Sequence, residues 1–323
     1  MRSILSTLAL ATVTGALTLP LSKKPPPSQP LPLVIWHGLG DNYNASGLQD
    51  VGDIFQSIIS APVYFVRLDE DPASDRTATF FGNVTDQIAN VCDVLSKHPH
   101  LSQVPAINAL GFSQGGQFLR GYVERCNKPP VRTLVTFGSQ HNGISRFQNC
   151  DANDWLCRGA MSILGRNTWT SFVQSRLVPA QYFRDPDDLD DYLESSNFLA
   201  DVNNERKVKN EEYKKRLGSL ENFVMYLFTE DTTVVPKESA WFAEVNSTTK
   251  EVTELRDREI YKEDWLGLKA IDERGGLHFE EVEGGHMNLS EELLLDAFEK
   301  YFTAESDTLL NFVAADYKLQ EVL

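Results

Sequence analysis

Several patterns that mark common protein classes are missing from this sequence. Its 323 residues contain neither a C-x-x-C pair nor an H-E-x-x-H sequence, so the usual zinc and thiol-redox motifs are absent. Only 30 basic residues stand against 46 acidic ones, which gives a formal net charge of -16. So little positive charge argues against a nucleic-acid backbone or an anionic membrane surface as the main partner. We expect a globular protein without a metal or other cofactor.

Long hydrophobic runs are also scarce. The first 16 residues carry one early positive charge at Arg2, an apolar run between Ile4 and Val13, and small residues at Thr14 and Ala16. This is the pattern of a secretory signal peptide. No later stretch approaches the 18 apolar residues that a membrane-spanning helix needs. We therefore predict a signal peptide over residues 1–16 and a mature chain without a transmembrane segment, which enters the secretory pathway.

Cysteine is rare, and its even number fits an oxidising compartment. In such a compartment two disulfides are favoured over a metal site. Three pairings are possible, and sequence proximity favours Cys150 with Cys157, which leaves Cys92 with Cys126.

Four asparagines lie in N-glycosylation acceptor sequences, which suits a secreted or lumenal protein. We expect glycans at Asn44, Asn83 and Asn246. Asn288 lies two residues from a histidine that is a candidate catalytic base, and a glycan there would crowd the site. We expect Asn288 to be unmodified.

Short apolar runs alternate with amphipathic helical patterns after a proline-rich leader at residues 17–32. The predicted strands are residues 33–36, 62–68, 106–110, 131–137, 223–228 and 277–283. An acidic segment follows the strand at residues 62–68, and we expect it to be a loop. Near-continuous apolar strands separated by helices predict a mostly parallel sheet covered on both faces. This is the α/β-hydrolase pattern, in a single domain over residues 33–305 with a C-terminal tail at residues 306–323.

Residues 139–220 interrupt the alternation and are too long for a plain connection. We expect them to form a helical cap above the carboxyl ends of the strands. An acidic run at residues 185–191 is better explained as a solvated helix start than as a calcium loop. Apolar residues at helical spacings make the cap a candidate lipid-binding wall, although they could instead be ordinary core positions. The candidates are Trp155, Ile163, Trp169, Phe172, Val173 and Leu177.

The candidate nucleophile is Ser113, in the sequence G-F-S-Q-G between a buried strand and an amphipathic helix. This context is typical of a nucleophile elbow, in which a tight strand-to-helix turn exposes the serine hydroxyl. Backbone crowding in such a turn leaves no room for a Cβ two residues before or after the serine. Gly111 and Gly115 meet that requirement.

A serine needs a base and an orienting acid, which follow it in the order Ser, Asp or Glu, His in this fold. Of the six histidines, His286 follows the last strand in a glycine-rich loop, whereas His278 lies inside that strand and is expected to be structural. The acid should follow the strand at residues 223–228. Asp231 is favoured over its neighbour Glu230 because it begins a D-x-x-V-x-P sequence.

The negative charge that develops on the attacked carbonyl oxygen needs two backbone N–H donors. We expect one from Gln114, directly after the nucleophile, and one from Leu39 in the H-G-L-G turn after the first strand. His37 then has a structural role.

Beyond these features, the chain resembles the palmitoyl-protein thioesterase family, especially its lysosomal type 1 enzymes, over residues 31–302. The matching stretches are HGLGD at 37–41, GFSQGG at 111–116, GSQHNG at 138–143, FLADVN at 198–203 and GGHMNLSEE at 284–292. The resemblance implies removal of long-chain acyl groups from S-acylated proteins or peptides in a lysosome or vacuole, with acyl-CoA as a further substrate. It also implies a Ser113, Asp231, His286 triad and the disulfide pairing that proximity favours.

Two other functions remain open from the residues alone. A lipase or carboxylesterase uses the same triad on oxygen esters. A catalytically silent lipid carrier would keep the fold and the groove, although a correctly ordered triad argues against it. The oligomeric state is left open by the sequence.

Overall fold

The computed structural model describes residues 30–147, 150, 152–164 and 168–303. The predicted signal peptide, residues 17–29 of the leader and the tail at residues 306–323 lie outside the described residues. Within the described ranges, no helix combines the length and the apolarity needed to cross a bilayer.

The central sheet holds six strands within the described residues, in the order β2-β1-β3-β4-β5-β8. Each neighbouring pair is parallel, as predicted, and β6 and β7 form a separate antiparallel pair. The strands are β1 (Leu33–Trp36), β2 (Val63–Phe65), β3 (Ile107–Phe112), β4 (Val131–Phe137), β5 (Asn222–Phe228), β6 (Glu244–Val245), β7 (Val252–Thr253) and β8 (Leu277–Val282).

Helices cover both faces of this sheet. They are α1 (Ser46–Ile59), α2 (Pro72–Ala78), α3 (Val84–Lys97), α4 (Gln114–Arg125), α5 (Trp155–Leu164), α6 (Ser171–Gln174), α7 (Leu189–Ser195), α8 (Leu199–Val202), α9 (Glu211–Leu217), α10 (Glu259–Lys262), α11 (Leu268–Glu273) and α12 (Glu291–Phe302).

Two apolar layers result from the alternation of side chains along each strand. In β1, Val34 and Trp36 join the layer that contains α3 and α4, whereas Leu33 and Ile35 join the layer that contains α1 and α12. The rings of Phe55 on α1 and Phe298 on α12 meet edge to face, with centroids 5.7 Å apart. Burial on both faces explains why the strands are apolar throughout.

The segment between β4 and β5 contains α5 to α9, together with a 3₁₀ turn at Val178–Tyr182. The acidic run predicted to start a helix does so, because Asp190 and Asp191 lie in the first turn of α7. We call residues 139–220 the cap.

Both disulfides are formed, with the pairing that proximity favours. Cys92 on α3 is bonded to Cys126 at the end of α4, so the bond joins the helices on either side of β3. Cys150 is bonded to Cys157 on α5. In the chain-entropy model, the loop closed by the bond between Cys92 and Cys126 contributes ~3 to 4 kcal/mol to stability.

One element differs from the sequence prediction. The acidic segment after β2 was expected to be a loop, yet it contains α2. Asp71 accepts a hydrogen bond from the N–H of Ser74 as the N-cap, and Pro72 occupies the first helical turn. Both residue types are favoured at these positions, so the signal was present in the sequence.

Candidate active site

Ser113 lies at the sharp turn between β3 and α4. Its backbone has φ of 50° and ψ of -121°, a conformation that non-glycine residues rarely adopt because Cβ meets the neighbouring carbonyl groups. The turn is held in place by a hydrogen bond from the Ser113 N–H to the carbonyl oxygen of Phe137 on β4, at 2.8 Å. This geometry is the strained elbow that the G-x-S-x-G sequence predicts.

Glycines around the serine are required by backbone contacts. A Cβ on Gly111 would lie 2.2 Å from the Cα of Gly116, and one on Gly115 would lie 2.2 Å from the carbonyl oxygen of Trp36. Gly116, which sequence reasoning did not single out, is also constrained, since its Cβ would lie 2.1 Å from the Oγ of Ser139. Backbone contacts at Gly111 and Gly115 and a side-chain contact at Gly116 therefore fix the elbow.

Three predicted side chains form one hydrogen-bonded line. His286 Nε2 lies 3.0 Å from Ser113 Oγ, and His286 Nδ1 lies 2.6 Å from Asp231 Oδ2. With the proton on Nδ1, the imidazole donates to Asp231 and its Nε2 can accept the serine proton. Residues 173 positions apart in sequence are thus brought into contact.

Asp231 is nearly buried, and the loop after β5 fixes its orientation. Its Oδ1 accepts hydrogen bonds from the backbone N–H groups of Thr233 at 2.8 Å and Val234 at 2.9 Å. The neighbouring Glu230 is exposed. The carboxylate is therefore held by two donors on one oxygen while the other oxygen faces His286.

The predicted oxyanion donors lie on either side of the serine. Gln114 is the first residue of α4, so its N–H has no partner within the helix. Leu39 lies in the turn after β1 and lines two pockets that also contain Ser113. Leu39 therefore borders the space around the Ser113 hydroxyl, and Gln114 adjoins the serine in the chain. Their role as oxyanion donors stays a prediction.

Helix α2 clamps the turn that contains Leu39. The guanidinium of Arg76 donates to the carbonyl oxygen of Gly40 at 2.8 Å, and Thr79 Oγ1 accepts the N–H of Gly40 at 2.9 Å. Arg76 also donates to Asp154 of the cap at 2.6 Å. Sequence reasoning missed these residues because the segment was taken for a loop.

A buried carboxylate at Asp75 completes this clamp. Asp75 is fully buried and accepts hydrogen bonds from Leu68 N at 2.7 Å, Tyr43 N at 2.9 Å and His37 Nε2 at 3.0 Å. Burial alone would raise the pKa of Asp75, but the His37 hydrogen bond and charge and the two backbone donors outweigh it and hold the pKa below its ordinary value. His37 has the structural role expected of it.

Two pockets open on Ser113. The larger, of about 350 Å³, runs along α1 and includes His286; we call it the helix-side cleft. Its lining is Gly38, Leu39, Asp41, Ala45, Gly47, Leu48, Val51, Phe112, Ser113, Thr233, His286, Met287 and Leu289.

The smaller pocket, of about 20 Å³, lies under the cap; we call it the cap-side pocket. Its lining is Leu39, Ser113, Gln140, Ile144, Phe147, Met161, Pro179, Tyr182, Thr233 and Val234. Gln140 is buried here, and its Oε1 has no hydrogen-bond partner among the described residues.

The six cap residues predicted to form an apolar wall line neither pocket. Val173 and Leu177 are 2% exposed and form a small core that packs against Phe147 and Met161, so they lie behind the cap-side lining. Trp169 packs on Phe183 and Tyr192. Exposed large side chains on the outer surface of the cap are Trp155, Ile163 and Phe172.

Two of the stretches that carry the resemblance, residues 138–143 and 198–203, meet at a buried arginine. Arg120 on α4 donates to the carbonyl oxygen of His141 at 3.2 Å and to Asn203 Oδ1 at 2.7 Å, and it pairs with Glu124 at 2.8 Å. Burial, more than the nearby Arg120 charge, lowers the pKa of His141 well below its ordinary value, so this histidine is a neutral structural residue. Burial raises the pKa of Glu124 to about 7, because it outweighs the attraction of Arg120.

The predicted glycosylation sites differ in exposure. Asn44 and Asn246 are exposed, whereas Asn83 is half-buried and caps α3 through its Oδ1. Asn288 donates to the carbonyl oxygen of Glu283 at 3.0 Å, next to Leu289 in the helix-side cleft. Use of these sites stays a prediction.

Similar proteins define the family. A family model described as palmitoyl protein thioesterase matches residues 32–286. A palmitoyl-protein thioesterase 1 from Caenorhabditis elegans is 36% identical over 276 residues, which cover 84% of this chain and 92% of the relative.

Two further relatives match over shorter parts of their length. A palmitoyl-protein thioesterase-dolichyl pyrophosphate phosphatase fusion from Schizosaccharomyces pombe is 36% identical over 81% of this chain and 42% of its own length. Palmitoyl-protein thioesterase 3 from Dictyostelium discoideum is 36% identical over 62% of this chain and 68% of its own. Since the family model and the nematode relative span most of the sequence, the chain belongs to the palmitoyl protein thioesterase family.

Proposed function

We propose that this protein hydrolyses long-chain acyl thioesters of cysteine, with Ser113 as nucleophile, His286 as general base and Asp231 as the orienting acid. The observation that carries the proposal is the hydrogen-bonded line from Asp231 through His286 to Ser113, in a chain of this family. Family membership favours a thioester over the oxygen ester of a lipase, because the triad alone serves both.

The proposed reaction has two balanced halves. Ser113 Oγ attacks the thioester carbonyl carbon while His286 Nε2 takes the hydroxyl proton. The carbon–sulfur bond then breaks, and the sulfur leaves as a thiol with the proton returned from Nε2. Water, activated by the same nitrogen, attacks the acyl-serine ester, which releases the fatty acid and restores the serine hydroxyl.

Backbone donors supply the electrostatic part of catalysis. The N–H groups of Leu39 and Gln114 are proposed to stabilise the oxyanion in both halves, and loss of one such donor costs ~3 to 4 kcal/mol in other hydrolases. Asp75 and Arg76 contribute indirectly, because their hydrogen bonds hold the turn that carries Leu39.

The acyl chain is proposed to enter the cap-side pocket, which has to widen to admit it. Its walls are mainly apolar, with Ile144, Phe147, Met161 and Val234 among them, and burial of methylene groups against such walls is favourable by ~0.8 kcal/mol each. S-acylated proteins and peptides are the proposed substrates, and acyl-CoA is a further one since it carries the same thioester.

A lysosomal or secreted location is also proposed. Two disulfides require an oxidising route, and related proteins from rat and mouse are named lysosomal thioesterases.

The test is hydrolysis of a palmitoyl-cysteine peptide by the parent protein, by Ser113→Ala and by the exposed control Ser162→Ala. Turnover by the parent and the control, with a fall of at least about 10³-fold in Ser113→Ala, is expected from loss of the nucleophile. Triolein is assayed in parallel. Faster turnover of triolein than of the thioester would refute the proposal and identify the protein as a lipase.

A further inference from the structure

The two pockets on Ser113 differ in which of them reaches the general base. Both include Leu39, Ser113 and Thr233, but only the helix-side cleft is lined by His286. Beyond His286, this cleft is continued by Met287 and Leu289 on one wall and by α1 on the other. The serine thus stands between a small pocket under the cap and a larger cleft beside the histidine.

Proton transfer distinguishes the two pockets. His286 Nε2, which takes the serine proton, must return it to the departing sulfur, and this requires the sulfur within hydrogen-bond reach of Nε2. The leaving group therefore lies on the His286 side of the serine. The acyl chain, attached to the other side of the carbonyl carbon, is directed to the pocket that lacks His286.

Acidic residues line a groove that continues from the helix-side cleft. The cleft merges with this shallower groove between α1 and the start of α12, because both are lined by Gly47, Val51 and Leu289. Asp50, Asp53 and Glu291 line that groove, and all three are exposed. Within the described ranges none of them forms a salt bridge, and no lysine or arginine lines the cleft or the groove. We call these three carboxylates the acidic rim.

We propose that the helix-side cleft is the leaving-group subsite and that it holds the polypeptide on either side of the acylated cysteine. Residues next to the cysteine contact the apolar walls at Leu48, Val51 and Leu289, and cationic side chains farther along the peptide face the acidic rim. This inference rests on the proposed thioesterase function and adds which leaving groups it favours. Coenzyme A, whose phosphates are negative, meets repulsion at the same rim.

Gly47 offers a direct test because it lines both the cleft and the groove, and a Cβ built on it meets no heavy atom within 4 Å. Gly47→Trp should fill the cleft without disturbing the core. The control is Gly159→Trp on α5 of the cap, where a Cβ also meets nothing within 4 Å. The substrates are an S-palmitoyl heptapeptide with lysines flanking its cysteine, S-palmitoyl-N-acetylcysteamine, and its octanoyl analogue.

For Gly47→Trp we expect kcat/KM on the palmitoyl peptide to fall by about tenfold or more, a size typical of blocking one hydrophobic subsite. Activity on S-palmitoyl-N-acetylcysteamine, whose leaving group is much shorter, should fall less than activity on the peptide, and the preference for palmitoyl over octanoyl should stay within twofold of the parent. A lost palmitoyl preference would assign the cleft to the acyl chain, and an equal effect on both palmitoyl substrates, or none, would also overturn the proposal. Failure of the parent on every thioester would instead refute the proposed function.

A charge test is independent of Gly47. The triple variant Asp50→Asn, Asp53→Asn, Glu291→Gln keeps the shape of the rim and removes its charge. The ratio of kcat/KM for lysine-flanked over glutamate-flanked S-palmitoyl peptides should fall roughly fivefold, since exposed charge pairs contribute modestly one by one. Sodium chloride should reduce the same ratio in the parent. A ratio that the variant leaves unchanged would show that the peptide does not pass the rim.

Discussion

The change Asp75→Asn is expected to lower turnover while leaving the acyl pocket intact. Asp75 touches neither pocket on Ser113, yet its carboxylate receives donors from His37, Tyr43 and Leu68. Through His37 it supports the start of the turn that carries Leu39. The variant therefore separates support of the oxyanion donor from substrate binding.

The expected magnitude follows from the hydrogen bonds. Oδ2 accepts from both His37 and Tyr43, whereas Oδ1 accepts from Leu68 alone. An asparagine that places its oxygen at the Oδ2 position turns its NH₂ group toward the N–H of Leu68, so one buried donor loses its acceptor at a cost of ~1 to 3 kcal/mol. Loss of the negative charge weakens the two remaining bonds as well, and we expect about 2 to 4 kcal/mol of total destabilisation.

Catalysis should respond through kcat. If displacement of the turn removes about half of the transition-state stabilisation that one oxyanion donor provides, kcat falls by roughly 10- to 30-fold. Substrate KM should change less than threefold, because the lining of both pockets is unchanged. Stability should also lose its acid dependence: the depressed pKa of Asp75 contributes stability above its ordinary value of 3.8, and that contribution is lost as the pH falls through the folded-state value.

The assay is steady-state hydrolysis of S-palmitoyl-N-acetylcysteamine together with urea unfolding. Asp272→Asn serves as the control, since Asp272 accepts hydrogen bonds from Arg256 at 2.7 and 2.9 Å and lies on α11, away from both pockets. Asp75→Asn should lower stability and kcat, and the control only stability. An Asp75→Asn protein that unfolds at lower urea but keeps the parental kcat would refute the reasoning.

Two further outcomes follow from the elbow and from the buried acid. Gly115→Ala should destabilise the protein by more than about 3 kcal/mol, because its Cβ would lie within 2.4 Å of two backbone carbonyl oxygens that cannot move aside. Gly159→Ala should instead stabilise α5 by roughly 0.5 to 1 kcal/mol. Equal stability of the two variants in calorimetry would contradict the steric explanation. For Glu124, whose pKa is raised to about 7 from 4.5, stability present below pH 4.5 is lost as the pH rises through 7, by up to about 3 kcal/mol. Glu124→Gln should remove that loss when the free energy of unfolding is measured with urea at pH 4.5 and 8. The same pH dependence of stability in both proteins would count against this prediction.

The sheet and the line from Asp231 to Ser113 could be predicted because each depends on a local pattern. Apolar runs mark strands buried on both faces, and the chain order of nucleophile, acid and base leaves few candidates. Ser113, Asp231 and His286 each follow the carboxyl end of a parallel strand, so topology brings them to one edge of the sheet. Their relative positions need no knowledge of side-chain packing.

The cap could not be predicted to the same depth. Helical spacing shows that Trp155 and Val173 lie on apolar stripes, but it does not show whether a stripe faces a pocket, a core or solvent. Trp155 is 79% exposed and Val173 is 2% exposed. The pocket walls instead come partly from α1, whose apolar residues also pack in the core. The clamp from α2 was missed because acidic composition outweighed the cap signal at Asp71 and Pro72.

Arg76 has a consequence for how the protein responds to its substrate. Its guanidinium donates hydrogen bonds to Gly40, next to the proposed oxyanion donor Leu39, and to Asp154 at the edge of the cap. Leu39 itself packs against the core that α5 forms with Phe80. Thermodynamic reciprocity then requires that stabilising the cap also stabilises the turn, and that the coupling free energy is the same in both directions. Acyl chains too short to press against the cap should therefore be hydrolysed more slowly even at saturation, since their missing methylene groups would have contributed to alignment of the oxyanion donors as well as to affinity.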